Sequence, residues 1–378
     1  MKVMTVFGTR PEGIKMAPII KELERRENVE SVVCITAQHR QMLDPVLNLF
    51  NIKPDYDLNI FKPGQTLTEI TTRALQGLEE VILKEKPDVL LVQGDTTTVF
   101  AGALAAFYQK IKIGHVEAGL RSGNLYSPYP EEANRRLAGL LADFHFAPTE
   151  RNRQNLLKED YPDEKIFITG NTVIDALGYV IKEDYIFDLD LLNNIDYGKK
   201  RIILMTAHRS ENIGRPMENI FIAIKDILEK YEDVELVFPM HLNPKVREIA
   251  YSILGGNDRI HLLEPLDYEP VANLMARVHL IVTDSGGLQE EGPTFGKPVL
   301  VVREETERPE GIEAGTARLV GTKYENIFNE LNLLLSNKDE YDKMANAVNP
   351  YGDGKASERI VDILIYNVST ISCEFIRG

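Results

Sequence analysis

Three carboxylates stand where they could carry out acid–base chemistry. Asp95 follows the apolar run VLLVQG, Glu117 follows KIGHV, and Glu131 opens a predicted helix after a polar loop. The first two lie at predicted strand ends, where open α/β sheets bind their ligands. If all three line one pocket, their mutual repulsion raises at least one pKa and separates an acid from a base.

Each carboxylate also has a structural interpretation. Asp95 could cap the helix that follows it. Glu131 could pair with Arg135 one turn later, and Glu132 and Arg136 repeat this i,i+4 spacing. The repeated spacing predicts a surface ion pair for one of the two pairs.

Two cations flank a predicted helix start in the segment GTRPEGIK, which follows the first strand. The helical pattern runs from about Ile14 to Arg26. The segment lacks the GxGxxG spacing of a dinucleotide site. Cations are unfavourable near the positive end of a helix dipole, so Arg10 and Lys15 predict an anion between them. The alternative is a solvated loop arginine and a lysine on the helix surface.

His208 and Arg209 end the predicted strand RIILMTA and therefore lie at the functional edge of their sheet. His241 is open to either interpretation. Three further histidines lie within strand-like runs and are predicted to be structural: His145, His261 and His279. Because HxH and HExxH spacings are absent from the sequence, we expect no metal site.

Residues 279–311 have the pattern of a phosphate-binding strand, turn and helix. An apolar strand ends at Thr283, and Ser285, Gly286 and Gly287 form a turn before a helical pattern that opens at Leu288. Glycines let a ligand approach the backbone, and helix N-terminal N–H groups suit a phosphate. The alternative is an ordinary helix capped by serine and glycine.

Charged residues follow this turn. Glu290 and Glu291 lie one turn into the helix, within reach of the hydroxyls of a sugar attached to the phosphate. The loop TERPE brings Arg308, which could bind a diphosphate with two parallel hydrogen bonds. The segment therefore indicates a nucleotide-diphosphate site, although a solvated charged loop is the simpler interpretation of TERPE.

Strands alternate with helices in two successive arrays, which predicts α/β domains built on parallel sheets that are covered on both faces. Predicted strands include KVMTVF, SVVCIT and DVLLVQ in the first array and RIILMTA, VELVFPM and PVLVV in the second. We expect two similar doubly wound, Rossmann-like domains that face a central cleft. Their predicted ranges are 1–172 and 173–352, with a last helix at about 353–378 that packs back on the first domain.

Composition excludes several classes of function. The net charge of −15 argues against nonspecific binding to nucleic acid or to an anionic membrane. The longest apolar runs are shorter than the ~18 residues of a membrane helix, and the first residues do not have the pattern of a signal peptide. Cys34 and Cys373 provide no disulfide framework, so we expect a cytoplasmic protein.

Seven segments taken together resemble one family, the non-hydrolysing UDP-N-acetylglucosamine 2-epimerases. The resemblance runs in order from Met1 to about Ile365. The segments are GTRPE with Lys15, QGDT at 93–96, GHVEAGLR at 114–121, PEEANRR at 130–136, AHR at 207–209, TDSGGLQEE at 283–291 and TERPE at 306–310.

The resemblance implies a glycosyltransferase-B-like fold and the reversible conversion of UDP-GlcNAc to UDP-ManNAc. In that family UDP is eliminated to give 2-acetamidoglucal, and it then adds back while a proton returns to the opposite face. The resemblance also implies a homodimer, a role in cell-surface polysaccharide biosynthesis, and catalysis without a metal or a nicotinamide. It gives no specific glycan.

Site residues follow from the same resemblance. The acid–base set would be Asp95, Glu117 and Glu131, with His208 as a further catalytic residue, and the order in which the carboxylates act stays open. Substrate-binding residues would be Arg10, Lys15, Arg135, Arg209, Ser285, Gly286, Gly287, Glu291 on the ribose, and Arg308.

Bacterial members have a second, allosteric UDP-GlcNAc site, whose matching positions here are Gln38, His39, Gln41 and Arg209. Gly64 and Ser210 depart from the arginines that are common at their positions. Both departures bear on activation and leave catalysis unaffected.

Three alternative functions share much of this pattern. A hydrolysing epimerase would release ManNAc and UDP, and a glycosyltransferase of the same fold would need an acceptor. A noncatalytic UDP-sugar sensor would bind without turnover, and the carboxylates at 95, 117 and 131 argue against it.

Overall fold

The computed structural model describes the backbone of residues 1–374 and the side chains through residue 368. The chain forms two compact units, Met1–Tyr179 with the segment from Tyr351 onward, and Val180–Pro350. We propose that the domain boundaries follow these units rather than residues 172 and 352. The last residues of the predicted helix, 375–378, lie outside the described part.

The first unit contains a seven-stranded parallel sheet with the order β3-β2-β1-β4-β5-β6-β7. Its strands are Lys2–Phe7 (β1), Glu30–Ile35 (β2), Tyr56–Asp57 (β3), Val89–Gln93 (β4), Lys112–Val116 (β5), Phe144–Ala147 (β6) and Ile166–Ile168 (β7). The central strands are buried along almost their whole length, as expected for a sheet covered on both faces. The short β3 was not predicted, because two residues give no periodicity.

The helices of the first unit cover both faces of the sheet. They are Arg10–Glu24 (α1), Arg40–Leu49 (α2), Leu67–Glu85 (α3), Thr97–Tyr108 (α4), Glu131–Leu141 (α5), Glu150–Leu157 (α6) and Thr172–Val180 (α7). Helix α1 begins four residues before the predicted Ile14. The reason is local: Thr9 and Glu12 form a capping box, and Pro11 fits the first turn.

The second unit contains a six-stranded parallel sheet with the order β10-β9-β8-β11-β12-β13. Its strands are Arg201–Thr206 (β8), Val234–Pro239 (β9), Ile260–Leu263 (β10), Leu280–Thr283 (β11), Val299–Val301 (β12) and Ala317–Leu319 (β13). Both sheets therefore have the doubly wound order predicted from the alternating pattern.

Eight helices flank this second sheet in the described chain. They are Asp190–Asn194 (α8), Arg215–Lys230 (α9), Pro244–Leu254 (α10), Tyr268–Arg277 (α11), Gly286–Glu291 (α12), Pro309–Glu313 (α13), Tyr324–Ser336 (α14) and Lys338–Ala345 (α15). Short 3₁₀ turns occur at Asp163–Lys165, Ser210–Asn212 and Gly292–Phe295. The core of this unit is formed by buried side chains of β8, β9 and β11 and of the helices α9, α10 and α14.

The last described helix, Ala356–Glu374 (α16), belongs to the first unit and packs on α1. Its first turn is capped by the buried carboxylate of Asp175, which accepts from the backbone N–H groups of Ala356 (3.1 Å) and Ser357 (2.7 Å). An ion pair of 2.8 Å joins Arg26, two residues beyond the end of α1, to Asp362 of α16. In the described part of the chain, every helix is too short or too polar to cross a membrane.

Two glycines near the end of β5 test how tightly this part of the first unit is packed. Gly119 (φ +88°) and Gly123 (φ +81°) share the same backbone conformation, which is unfavourable for other residues. A Cβ on Gly119 would lie 2.2 Å from the carbonyl oxygen of Asn152, whereas a Cβ on Gly123 would meet nothing within 4 Å.

We therefore expect Gly119→Ala to destabilise the first unit by about 3 kcal/mol, through strain and overpacking. Gly123→Ala is the matched control and should cost about 1 kcal/mol, through backbone strain alone. Denaturation midpoints of the two variants provide the measurement. Equal midpoints would contradict the close approach at Gly119.

Candidate active site

Each sheet reverses its strand order at a switch point, between β1 and β4 in the first unit and between β8 and β11 in the second. Ligands of doubly wound folds bind outside the carboxyl ends of the strands at such points. In both units the predicted site residues lie in the loops and helix starts that follow these strands and their neighbours in the sheet.

Glu12 organises the switch point of the first unit. Its buried carboxylate accepts from the N–H groups of Gly8 (2.9 Å) and Thr9 (2.8 Å), from the Thr9 hydroxyl (2.8 Å), and from the hydroxyl of Thr96 beyond β4. Burial raises the pKa of Glu12, and these hydrogen bonds oppose the rise. The carboxylate thus joins the loops after β1 and β4. Its capping-box spacing with Thr9 was the sequence signal that could have found it.

Glu117 is held by three donors. Its Oε1 accepts from Lys15 Nζ (2.5 Å) and Asn171 Nδ2 (2.9 Å), and its Oε2 accepts from Gln93 Nε2 (2.5 Å). The backbone at Glu117 is left-handed, with φ +64°. Because every one of these contacts needs an acceptor, the arrangement suits the ionised carboxylate. Lys15 therefore pairs with the Glu117 carboxylate, in addition to any anion that binds between it and Arg10.

Asp95 pairs with Arg135. The Arg135 Nε atom lies 3.1 Å from Asp95 Oδ2, and Nη2 contacts the same oxygen. Burial raises the pKa of Asp95 despite the charge of Arg135, and the negative charge of Glu117 adds to the rise. The Asn134 amide donates to the Asp95 carbonyl at 3.0 Å and fixes the backbone. Asp95 is thus better able than an ordinary aspartate to hold a proton.

Glu131 is half-buried at the start of α5, and no hydrogen-bond or ion-pair partner faces it among the residues that the structure describes. Of the two i,i+4 pairs considered from sequence, only one forms. Arg136 Nε donates to Glu132 at 3.0 Å, whereas Arg135 turns to Asp95 and to Glu132 (3.1 Å). The prediction that one of the two pairs forms is confirmed, but it is not a surface pair, because Glu132 is fully buried.

His115 supports the backbone beside Asp95. Its Nε2 lies 2.7 Å from the carbonyl oxygen of Gly94, so Nε2 carries the proton. Burial lowers the pKa of His115 to about 4 and that of its neighbour in β6, His145, to about 3. Both rings are neutral at neutral pH, and His145 packs edge-on against Tyr161.

The remaining predicted residues of the first unit differ in accessibility. Arg10 is half-buried at the first position of α1, and no partner contacts it among the described residues. The Gln38 side chain is buried and accepts from the Thr98 hydroxyl at 2.9 Å. His39 and Gln41 are exposed around the start of α2.

Asp284 organises the switch point of the second unit. It is fully buried at the end of β11. Its Oδ2 accepts from the backbone N–H groups of His208 and Arg209, both at 2.8 Å, and from Asn212 Nδ2 at 3.3 Å. The sequence placed Asp284 only as a strand end. A carboxylate that receives its donors from a loop more than seventy residues away leaves no local pattern.

The serine–glycine turn differs from its prediction in two ways. Helix α12 begins at Gly286 rather than at Leu288, and it contains six residues before a 3₁₀ turn. Ser285 occupies the N-cap position, but its hydroxyl makes no capping hydrogen bond. The Gln289 side-chain amide donates to the Ser285 carbonyl at 3.0 Å and holds the turn closed.

Arg308 lies against this turn. It forms an ion pair with the buried carboxylate of Glu290, and a Cβ on Gly286 would lie 4.0 Å from its guanidinium carbon. Glu290 is therefore committed to Arg308, which corrects the expectation that it reaches a sugar. A Cβ on Gly287 would lie 3.1 Å from Glu291 Oε1, so that carboxylate flanks the turn.

The predicted TERPE loop is also corrected. Residues Pro309–Glu313 form a short helix (α13), because proline suits the first helical position. Arg308 is its N-cap residue and is largely buried, so the simpler interpretation of a solvated loop is wrong for this residue.

Two doubly wound units with polar clusters at their switch points define an α/β protein of the nucleotide-binding, Rossmann-like type. The family model for UDP-N-acetylglucosamine 2-epimerase matches residues 21–365 of the chain. The chain belongs to this family, as its seven segments predicted.

Three relatives illustrate the similarity. The UDP-N-acetylglucosamine 2-epimerase of Bacillus subtilis is 57% identical, over 97% of this chain and 96% of its own length. A structure of S. aureus MnaA with UDP is 54% identical, with a TM-score of 0.86 and 97% of both chains covered. The Neisseria meningitidis UDP-GlcNAc 2-epimerase bound to UDP-GlcNAc is 52% identical, with a TM-score of 0.84 and coverage of 97% and 100%.

The buried histidines make the first unit sensitive to acid. An unfolded histidine takes up a proton below a pKa of about 6.5, whereas His115 and His145 stay neutral until about pH 4 and about pH 3. The unfolded state therefore binds more protons in this window, so stability is lost as the pH falls below about 6.5.

We expect His145→Phe, which keeps the ring but removes the titration, to reduce the stability lost between pH 7.5 and pH 4 by about 3 kcal/mol. His39→Gln, at an exposed position of the same unit, is the control for loss of a histidine outside the core. Thermal unfolding midpoints across this pH range test the expectation. A wild-type pH dependence in His145→Phe would contradict it.

Proposed function

We propose that this protein interconverts UDP-N-acetylglucosamine and UDP-N-acetylmannosamine by inversion at carbon 2, without net hydrolysis. The observation that carries the proposal is the pair of unlike carboxylates that follow β4 and β5 in the first unit. Glu117 is surrounded by donors, and the pKa of Asp95 is raised. The bound UDP-GlcNAc and UDP in the two family structures support the choice of substrate.

The chemistry explains why unlike carboxylates are needed. The proton on carbon 2 is not next to a carbonyl group, so direct abstraction is difficult. Elimination of UDP removes that proton and breaks the C1–O bond, which gives 2-acetamidoglucal and UDP. UDP then adds back to carbon 1 while a proton enters carbon 2 from the opposite face. The site therefore needs a base, an acid and stabilisation of the leaving diphosphate.

We assign the base to Glu117, because three donors favour its ionised form. We assign the acid to Asp95, because its raised pKa favours a bound proton. Glu131 completes the set as a carboxylate without a described partner, which leaves it available to the substrate.

The UDP half is assigned to the second unit. Because α12 has only six residues, we expect arginines, rather than the dipole of this helix, to provide most of the positive charge that stabilises the diphosphate. Arg308 is held beside the turn by Glu290, and Glu291 flanks Gly287, where it could accept from the ribose hydroxyls. The remaining contacts assigned to this half are His208, Arg209 and Ser285, whereas Arg10 is assigned to the substrate from the first unit.

We do not extend the proposal to a second, activating UDP-GlcNAc. Gly64 and Ser210 replace arginines at that site, and the Gln38 amide oxygen is already used by Thr98. We infer a cytoplasmic enzyme whose product serves cell-surface polysaccharide biosynthesis, in keeping with the resemblance and with the buried free thiol of Cys34.

We also propose a homodimer that uses an apolar face of the first unit. Four large apolar side chains near the end of α4 and along α5 are exposed: Phe107, Tyr108, Leu137 and Leu140. Leu140 is 73% exposed and lines two open cavities, of about 490 and 650 Å³. A contiguous apolar face of this kind is typical of a protein–protein interface. A second copy is the occupant that the family resemblance indicates.

Solvent exchange at carbon 2 tests the function. After incubation with UDP-GlcNAc in heavy water, both recovered sugar nucleotides should carry deuterium at carbon 2, and free UDP should not accumulate in stoichiometric amounts. Mass spectrometry and NMR provide the measurement. Unlabelled sugar nucleotides would overturn the proposal, and stoichiometric ManNAc with UDP would indicate the hydrolysing reaction.

Two variants test whether Glu117, the assigned base, carries out the proton exchange at carbon 2. Glu117→Gln should slow deuterium incorporation on the order of 10²-fold or more, because the carboxylate no longer removes the proton. Glu150→Gln changes an exposed carboxylate of the same unit and is the matched control. Equal rates in the two variants would remove Glu117 from the acid–base set.

The proposed dimer is tested by one charge substitution. Leu140→Glu should weaken self-association, because it buries an unpaired charge in the interface. Ile186→Glu, at a residue that is 79% exposed in the second unit, controls for the added charge. Sedimentation velocity provides the measurement. A wild type that sediments as a monomer would overturn the proposal.

A further inference from the structure

The buried carboxylate of Asp284 has two oxygens with different surroundings. Oδ2 is occupied by the N–H groups of His208 and Arg209 and by the Asn212 amide. Oδ1 lies 3.0 Å from Nδ1 of the His208 ring, along a direction oblique to an ideal hydrogen bond. Among the described residues, no donor meets Oδ1 with the geometry of a hydrogen bond, and the His208 ring is its ion-pair contact.

This arrangement determines which ring nitrogen of His208 carries a proton. A buried oxygen without a donor is costly, and His208 Nδ1 is the donor within reach. Burial raises the pKa of Asp284, but hydrogen bonds from the His208 ring and from the backbone of Arg209 and His208 lower it below its usual value. An ionised carboxylate only accepts hydrogen bonds, so Nδ1 has to be the donor.

We propose that Asp284 is a positioning residue that keeps a proton on Nδ1 of His208 and so directs Nε2 toward the leaving diphosphate. The inference rests on the proposed function for the identity of the diphosphate, but the placement of the proton does not. In the doubly protonated ring, Asp284 holds the Nδ1–H while the Nε2–H donates to the oxygen that gains charge as the C1–O bond breaks.

The other groups around the ring do not replace Asp284. The His241 ring stacks on His208 with centroids 5.9 Å apart, but its Nδ1 accepts from the Asn243 N–H at 3.1 Å. The Arg209 Nε donates to the carbonyl oxygen of Asp284 at 3.3 Å. A guanidinium has no acceptor, so it could not accept a hydrogen bond from His208 Nδ1. The His208 side chain is 37% exposed, which leaves the rest of the ring accessible to a ligand.

The substitution Asp284→Asn separates positioning from folding. The asparagine oxygen can still accept from the backbone N–H groups of residues 208 and 209. Its amide nitrogen then faces Nδ1 as a donor, which forces Nδ1 to accept and moves the proton to Nε2. The substitution therefore keeps the loop of residues 208 and 209 in place but gives the His208 ring the other tautomer.

Nitrogen-15 NMR of histidine-labelled full-length protein reads the tautomer directly, with His208 assigned by the signal lost in His208→Asn. Wild type should show a protonated Nδ1, and Asp284→Asn should show a protonated Nε2 with an unprotonated Nδ1. A wild-type spectrum with unprotonated Nδ1 would overturn the proposal without any variant, and so would an unchanged tautomer in Asp284→Asn.

Kinetics provide a second readout. Asp284→Asn should lower kcat on the order of 10²-fold or more with a small change in KM, and the double variant with His208→Asn should be about as slow as His208→Asn alone. Fully additive losses would overturn the proposal, because they would mean that Asp284 acts independently of the ring.

Asn212→Ala is the matched control. It removes a donor to the same carboxylate, and the amide's hydrogen bond to the Val302 carbonyl (3.1 Å), without changing the atom that faces Nδ1. Its tautomer should be that of wild type even if its stability is lower. If wild type failed to exchange carbon-2 protons while its Nδ1 was protonated, the proposed function would be wrong and the positioning role would stand.

Discussion

In each sheet a buried carboxylate connects the loops on the two sides of the switch point, and the candidate site depends on both carboxylates. Glu12 ties the loop after β1 to Thr96 beyond β4, and Asp284 ties the end of β11 to the loop after β8. Burying a carboxylate is costly unless nearly every lone pair finds a donor. The surrounding loops therefore have little freedom, because moving them would leave a buried charge without partners.

This constraint explains how the polar edges can be both rigid and reactive. The carboxylates that fix the loops are buried, and each accepts from two backbone N–H groups. Those assigned to chemistry are held by side chains, as Glu117 is by Lys15 and Asp95 is by Arg135. Side-chain contacts can rearrange when a substrate arrives, whereas the backbone contacts hold their positions.

Much of the fold could be predicted from the sequence. The central strands are continuous apolar runs, and α5 begins at Glu131 as predicted, because its hydrophobic period and first-turn acids are local signals. The starts of α1 and α12 were misplaced, because capping and glycine turns override periodicity. The short α13 was missed, because five residues are too few for a pattern.

Candidate members of the site could be named from the sequence, but their contacts could not. Position at strand ends and family resemblance identified Asp95, Glu117 and His208, but neither indicated which side chains hold them. The three donors to Glu117 lie 24, 54 and 102 residues away along the chain. Asp284, which we propose as a positioning residue, was not singled out for the same reason. Such pairings arise only when the sheet brings distant loops together.

The place of α16 has a consequence for the order in which the protein folds as it is made. The first unit is discontinuous, since the segment from Tyr351 onward belongs to it, whereas Val180–Pro350 is one continuous stretch. During synthesis the second unit has all its residues while the ribosome is still making the rest. The first unit has to wait for α16 to cap Asp175 and to cover α1. The nascent first unit thus carries an uncovered α1 surface until translation has passed the second unit, and this is the interval in which it most needs protection from aggregation.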